Sequence, residues 1–184
     1  MSEFVISTRY ANALMELSEE KGTFEKSVND ISLIKNTLDS SKELRNFLIS
    51  PVIASEKKSA ALEEIFKSKI GDNVNRFLLF LVEKGRENFL LDICERFISL
   101  SNEKLNQVNV NITSAIELSI SQQNEIKAKL EGMTSKKVLP SYNIDNSIIG
   151  GFKARFNDTV VDASVKHQLE LLKKKLFEED YLKN

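Results

Sequence analysis

The chain has 184 residues, and its 26 basic and 27 acidic side chains leave a net charge of -1, so there is no global field for gripping nucleic acid or an anionic membrane. Its length lies between one large domain and two small ones, no apolar run reaches the roughly 18 to 20 residues that span a bilayer, and the lone Cys94 excludes an internal disulfide. Met1-Ser2-Glu3-Phe4 has neither the basic-then-apolar layout of a secretory signal nor the arginine-rich character of a transit peptide, so a cytoplasmic, bacterial-type product is expected.

Helices divided by short breaks are predicted over the first hundred or so residues. The first spans about Glu3 to Glu20 and ends at Gly22. Thr23 is placed to cap the second, where Phe24, Val28, Ile31, Ile34 and Leu38 recur every three or four residues and mark a buried face. Ser40 and Glu43 have capping-box spacing for a short third helix with Leu44, Phe47 and Leu48 inward, stopped at Ser50-Pro51. A fourth starts at Ser55, buries Leu62, Ile65 and Phe66, and closes at Gly71. Asp72 is expected to cap a fifth carrying Phe77 to Val82 and running to Gly85. The sixth runs from about Arg86 to Asn106 and buries Leu90, Cys94, Phe97 and Ile98; the thiol is read as a reduced core side chain. Six helices with short connections indicate an antiparallel bundle over residues 1–106.

At Gln107 the period changes to two. Val108, Val110 and Ile112 alternate with Asn109, Asn111 and Thr113, which predicts a strand with one buried face. No Gly-, Pro- or Ser-rich linker precedes it, so the sixth helix is expected to feed directly into this strand. Ser119 and Gln122 form a capping box for a helix with Ile126, Leu130 and Met133 inward, loosened at Gly132. A strand over Lys137 to Ile144 contains Pro140 and therefore belongs at an edge or is interrupted. Then Gly150-Gly151 leads into Phe152, Ala154 and Phe156 alternating with Lys153 and Arg155. Asn157-Asp158 can close a two-residue hairpin, and Thr159-Val160-Val161 returns. A final helix follows, with Val165, Leu169, Leu172 and Leu176 in one stripe and Asp162 or Ser164 as cap. Residues 107–184 thus read as a small α+β domain, and the whole chain as mainly α.

The run Ile148-Ile149-Gly150-Gly151, Asp158, Val160-Val161, Asp162, Ser164 and Leu169 to Leu172 resembles the C-terminal signature of the delta subunit of bacterial F-type ATP synthases, whose mitochondrial counterpart is the oligomycin-sensitivity-conferring protein. The family pattern has Gly where this chain has Asn157 and Ala163. Arg9-Tyr10-Ala11-Asn12-Ala13-Leu14 resembles the family opening, Ser50-Pro51 its helix break and Lys84-Gly85-Arg86 its corner, so the resemblance extends over essentially the whole chain. It implies a non-catalytic stator subunit, one copy per complex, on the cytoplasmic face of the bacterial inner membrane and peripheral through the complex. The helical domain is then expected to hold the N-terminal segment of an alpha subunit, and the second domain the C-terminal end of the b-subunit stalk.

A physical reason for a helix-binding groove lies in two helices that are apolar over more than one face. Ile6, Tyr10, Ala13, Leu14 and Leu17 share a line on the first helix with Ala11 and Met15 on another; Phe77, Phe80, Leu81 and Lys84 share a line on the fifth, with Leu78 and Val82 opposite. The resemblance implies that these helices form the alpha-segment groove, with Tyr10, Ala13 and Phe80 at matching positions. The same side chains suit an ordinary core equally well, and the residues alone leave both readings open. Ala13 is the more telling, because a small residue lets a partner helix approach.

Enzymatic readings find little support. Asp162, Ser164 and His167 superficially suggest a hydrolase triad, but all three fall at the start of one helix, where caps and a solvated imidazole account for them. One His and one Cys are too few for a metal site, and Gly150-Gly151 opens no helix and lacks the Lys-Ser/Thr of a phosphate loop, so no cofactor is expected. The Gly pair instead suits close backbone approach inside the sheet. Lys136-Lys137 and Lys173-Lys174-Lys175 are short basic runs that could touch acidic stalk residues. A helical regulatory or RNA-associated adaptor relying on those runs is the alternative to the stator.

Overall fold

The structure, a computed structural model, describes residues 3–156 and 159–181. The chain divides into two compact units, Met1–Lys104 and Leu105–Asn184.

Among the described residues the first unit contains helices α1 (Glu3–Glu20), α2 (Phe24–Ser40), α3 (Lys42–Ile49), α4 (Ser55–Phe66), α5 (Asp72–Glu83) and α6 (Leu90–Lys104). Helix α6 packs against both α1 and α2, and α4 packs on α5. Leu14, Ile31, Ile34, Leu62, Phe66, Leu78, Leu81, Ile93 and Phe97 are enclosed between them, each such burial supplying about 1.5–3 kcal/mol. The side of α1 facing this core is narrow: Ser7, Ala11, Leu14 and Ser18. Its hydroxyls need no outside partner, because Ser7 Oγ donates to the Glu3 carbonyl at 3.0 Å and Ser18 Oγ to the Leu14 carbonyl at 2.7 Å.

Glycine ends α1 and α5 by the same device. Gly22 and Gly85 take φ of +64° and +62°. The following amides reach back five residues, Thr23 N–H to the Ser18 carbonyl and Arg86 N–H to the Leu81 carbonyl, each at 2.8 Å. Both are Schellman closures, which require the left-handed residue that Gly supplies at least cost.

Several expected caps differ. Thr23 precedes α2 but makes no side-chain cap; its hydroxyl oxygen accepts from Asn73 Nδ2 at 3.1 Å instead. The cap of α3 is Ser41, whose Oγ accepts the Leu44 N–H at 3.2 Å, whereas Ser40 Oγ donates to the Thr37 carbonyl and still belongs to α2. Gly71 does not close α4: it precedes α5 in an extended conformation, and Asp72 is the first helical residue rather than the cap. A side chain four decades of residues away takes part there, since Asp30 Oδ2 accepts the Gly71 N–H at 2.8 Å. The sixth helix begins later than expected, because Glu87–Phe89 is a separate 3-10 turn, and it ends earlier, at Lys104, ahead of Asn106 with φ +50°. That turn is held by a buried ion pair, Lys58 Nζ to Glu87 Oε1 at 2.7 Å, with the same ammonium donating to the Leu48 carbonyl at 2.6 Å.

In the second unit, β1 (Gln107–Ser114), α7 (Ile120–Thr134), β2 (Lys137–Ile144), β3 (Phe152–Phe156), β4 (Thr159–Asp162) and α8 (Val165–Tyr181) follow in order. The sheet order is β2-β1-β3-β4. Strands β1 and β2 are parallel with Val108 opposite Val138; β3 is antiparallel to β1 with Ala154 opposite Ile112, and β4 to β3 with Val161 opposite Ala154. Pro140 lies in β2, an edge strand, where its missing N–H costs no ladder bond. Ile126 and Leu130 of α7 pack on Val108, Val110, Ile112, Val138 and Ala154. The Ser119–Gln122 capping box is present. Met133 is 64% exposed, however, and Gly132 does not loosen the helix, which continues to Thr134 and closes at Ser135 with φ +53°. The expected Asn157-Asp158 turn lies outside the described residues.

Two glycines make a sharp contrast. A Cβ on Gly151, whose φ is +79°, would stand 2.3 Å from the Ala163 carbonyl oxygen, whereas one on Gly132 would meet nothing within 4 Å. Gly151→Ala is expected to lower unfolding free energy by about 2 kcal/mol or more, and Gly132→Ala to raise it by about 0.5–1 kcal/mol, both read by urea titration. Equal effects of the two substitutions would contradict the assigned roles.

Candidate functional site

Two surfaces stand out, one in each unit. On the first, the register of α1 turns Tyr10, Ala13 and Leu17 away from the Ser7–Ala11–Leu14–Ser18 line. Tyr10 is half-buried and meets two rings of α5: Phe77 edge-on at 6.5 Å and 64°, and Phe80 tilted at 6.4 Å and 57°. Such geometries suit the ring quadrupoles. Lys84 Nζ stands 5.3 Å from the Phe80 ring centre, a cation–π arrangement that keeps the ammonium at the rim. Phe80 is 43% exposed although every neighbouring apolar side chain on α5 except Leu79 is buried. Exposing a phenyl ring forgoes burial energy, so this position is the outward side of an aromatic cluster rather than core.

The eight residues expected to line a groove therefore divide. Tyr10, Ala13, Leu17, Phe80 and Lys84 lie on or at the surface, Phe77 underlies them at 8% exposure, and Leu14 and Leu81 are enclosed at 0% and 1%. Leu14 and Leu81 belong to the core because each is spaced with its helix's buried line, Ala11 and Ser18 on α1 and Val74, Phe77 and Leu78 on α5. Sequence reasoning missed a neighbouring feature. Phe4, 63% exposed, stacks under the Arg96 guanidinium at 5.2 Å, bordering a cleft of about 390 Å³ between α1 and α6.

On the second unit, Gly150, Gly151, Asp162 and Ser164 form one corner. The Ala163 N–H donates to the Phe152 carbonyl at 2.9 Å and the Val165 N–H to the Gly150 carbonyl at 3.0 Å, which fastens the start of β3 to the end of β4. Asp162 Oδ1 accepts the Ser164 N–H at 2.9 Å, and Oδ2 pairs with Lys153 Nζ at 3.1 Å. These hydrogen bonds from Ser164, and then the Lys153 ammonium, lower the Asp162 carboxyl to about 2. Ser164 Oγ accepts the His167 backbone N–H at 3.3 Å, so it caps α8. Serine and aspartate thus bind backbone amides, not an imidazole, and a triad reading fails. Asp158 lies outside the described residues.

From this corner α8 extends with its apolar stripe uncovered. Val165, Leu169 and Leu172 are 40%, 58% and 54% exposed, and no described element packs broadly on the helix; the side chain of Leu176 lies outside the described set. Cys94 is fully buried and burial pushes its thiol up to about 12, which leaves no reactive thiolate.

Comparison with known proteins adds a family. The description "ATP synthase delta (OSCP) subunit" matches residues 6–176. A protein of Chlorobium phaeovibrioides (strain DSM 265 / 1930) named ATP synthase subunit delta is 41% identical over 176 residues, 96% of this chain and 97% of that protein. One of the same name from Chloroherpeton thalassium (strain ATCC 35110 / GB-78) is 36% identical over 172 residues, 94% of each. Among solved structures, a chain of the cryo-EM structure of the Toxoplasma gondii mitochondrial ATP synthase hexamer aligns with TM-score 0.67 and 24% identity, covering 93% of this chain and 97% of that one. The last likeness speaks for the fold alone.

The corner has a pH signature. Because the Asp162 carboxyl lies lower in the fold than its ordinary 3.8, its ionised form contributes stability that is complete above about pH 5 and is lost as pH falls toward 2. Asp162→Asn is expected to be less stable than the parent at pH 7, with the gap closing on acidification. Urea unfolding at a series of pH values checks this, and a gap that stays constant would refute it.

Proposed function

The chain belongs to the ATP synthase delta (OSCP) subunit family, and on that premise we propose how it serves as the complex's non-catalytic stator subunit, tying the catalytic head to the peripheral stalk. The observation that carries the reading is the family match over residues 6–176 together with near-complete coverage of relatives named ATP synthase subunit delta. In this reading α1 to α6 form one six-helix antiparallel bundle that receives the N-terminal segment of an alpha subunit. Residues 107–184 capture the C-terminal end of the b-subunit stalk. A single copy then sits at the cytoplasmic face of the bacterial inner membrane, peripheral through its partners. No described helix is long and apolar enough to cross a membrane itself.

The geometry supplies reasons for both attachments. A stator resists torque only if it grips on both sides, and two grips on one molecule raise the effective concentration of the second. Tyr10, Phe80 and Lys84 offer rigid rings and an ammonium at the rim, flanked by the small Ala13, where an amphipathic helix can lie close. Covering their apolar area yields about 25 cal/mol per Å², from which the ordering of the partner segment is subtracted. On the other unit, no described element packs broadly on α8, and helices draw most of their stability from packing an amphipathic face. A partner helix on the Val165–Leu169–Leu172 stripe stabilises it. Chemistry has no part in the role: proton flow is coupled to ATP formation by holding the head still.

Phe80→Asp and Tyr10→Ala are expected to weaken binding of an alpha-subunit N-terminal peptide by about tenfold or more while the helical circular dichroism persists. Unchanged affinity by titration calorimetry would remove the groove. Conversely, Leu169→Asp with Leu172→Asp is expected to abolish capture of the b-subunit end and to spare the alpha peptide; a variant that loses both while folded would contradict two separate faces.

A further inference from the structure

The sheet has a second face. Helix α7 covers the side of Val108, Val110 and Ile112, and the registers place Asn109, Asn111 and Thr113 of β1, Ser141 and Asn143 of β2, Lys153 and Arg155 of β3 and Val160 of β4 on the other. That side holds an open cleft of about 500 Å³ that reaches from β1 and β3 to the first turn of α8, where Lys166 closes it.

The cleft's charges are unequal. Three cations line it, Lys153, Arg155 and Lys166, against one acid, Asp145. Lys153 is occupied by Asp162 at 3.1 Å. Asp145 is turned to its own loop, since its Oδ1 accepts the Ser147 N–H at 2.9 Å, and that bond with the nearby lysine lowers its carboxyl below the ordinary value. Among the described residues, Arg155 and Lys166 are thus the two cations of the cleft that remain for a ligand. Around them the lining mixes amides and hydroxyls, Asn111 and Thr113 among them, with the apolar Ile148, Ile149 and Val160. Asn111, which lines the cleft, accepts from the Ser141 hydroxyl through its side-chain oxygen, so that bond does not use its NH2 donors. A guanidinium fork, an ammonium and an amide donor around one concavity match carboxylates.

We propose that this cleft is the docking site for acidic side chains on the partner that lies along α8, an inference that rests on the stalk-capture reading above. Lys166 lies three residues before Leu169 and so borders the apolar stripe of α8, and a helix seated on that stripe reaches the cleft as it passes the first turn. The apolar stripe supplies burial, and Arg155 and Lys166 fix the partner's register by pairing with Asp or Glu at its end. Both cations are exposed in the unbound chain, so they gain from pairing only when the partner excludes water from the cleft.

The test uses the full chain and a fluorescent peptide from the C-terminal end of the b subunit of the same organism. Arg155→Glu with Lys166→Glu is expected to weaken binding about tenfold at roughly 50 mM salt, with the difference shrinking near 0.5 M. A peptide with its acidic residues changed to Lys is expected to recover affinity for that variant. Both substitutions are on exposed side chains, and circular dichroism verifies folding. Equal affinities of parent and variant at low salt overturn the cleft assignment while leaving stalk capture intact, as does a loss that the charge-reversed peptide fails to recover. No binding of the peptide by the parent chain overturns the stalk reading and this inference with it.

Discussion

The narrowness of the buried side of α1 is the constraint on which the first unit depends. Three of its four inward residues are Ser7, Ala11 and Ser18, so the α1 and α6 backbones can approach more closely than Leu or Phe at those positions would permit. Small side chains bury little apolar area, and two of the three carry hydroxyls that must be satisfied. The i-4 carbonyls meet that need, and Ser18 Oγ is also paired with the Ser27 hydroxyl of α2 at 2.9 Å. Because the inward line is spent on small residues, the bulky side chains of α1 lie at the flanks. Tyr10 is the consequence: it leans on the rings of α5 and lends them an outer layer that the core does not need.

A different economy governs the second unit. There the tight passage of Gly151 beneath the Ala163 carbonyl lets the chain enter β3 and leave β4 at the same point. Everything downstream follows from that crossing. Asp162 and Ser164 satisfy the amides that the turn leaves open, Lys153 balances the carboxylate, and α8 starts from a fixed place with its apolar stripe outward. The described part of the signature, Gly150, Gly151, Asp162 and Ser164, is therefore a joint: its residues hold backbone to backbone.

Function in this family is mechanical, and the distribution of polar groups agrees with it. Asp30, which accepts from the Gly71 amide, and Lys58, which binds the Leu48 carbonyl and Glu87, are polar side chains spent inside the unit. The buried thiol is held far from ionisation. What remains for the outside is shape: an aromatic ledge with an ammonium rim on one unit, and an apolar stripe beside a cationic cleft on the other.

Period and punctuation sufficed to place most of this architecture. Spacings of three and four residues located the helices, alternation after Gln107 located β1, and Gly22 and Gly85 marked helix ends because the left-handed conformation there is nearly glycine's alone. The Gly-Gly signature and the residues that follow it pointed to the family. Tertiary structure decided what spacing cannot distinguish. Tyr10 and Leu14 read alike in the chain, yet only Leu14 turns inward, because a helix's orientation about its axis is set by what it packs against. Gly71 and Asp72 both resemble helix boundaries, and the choice depended on Asp30, a residue distant in sequence. The stripe of α8 has the pattern of a buried face, and only the fold shows it uncovered, since periodicity records that a face is apolar and says nothing of what covers it.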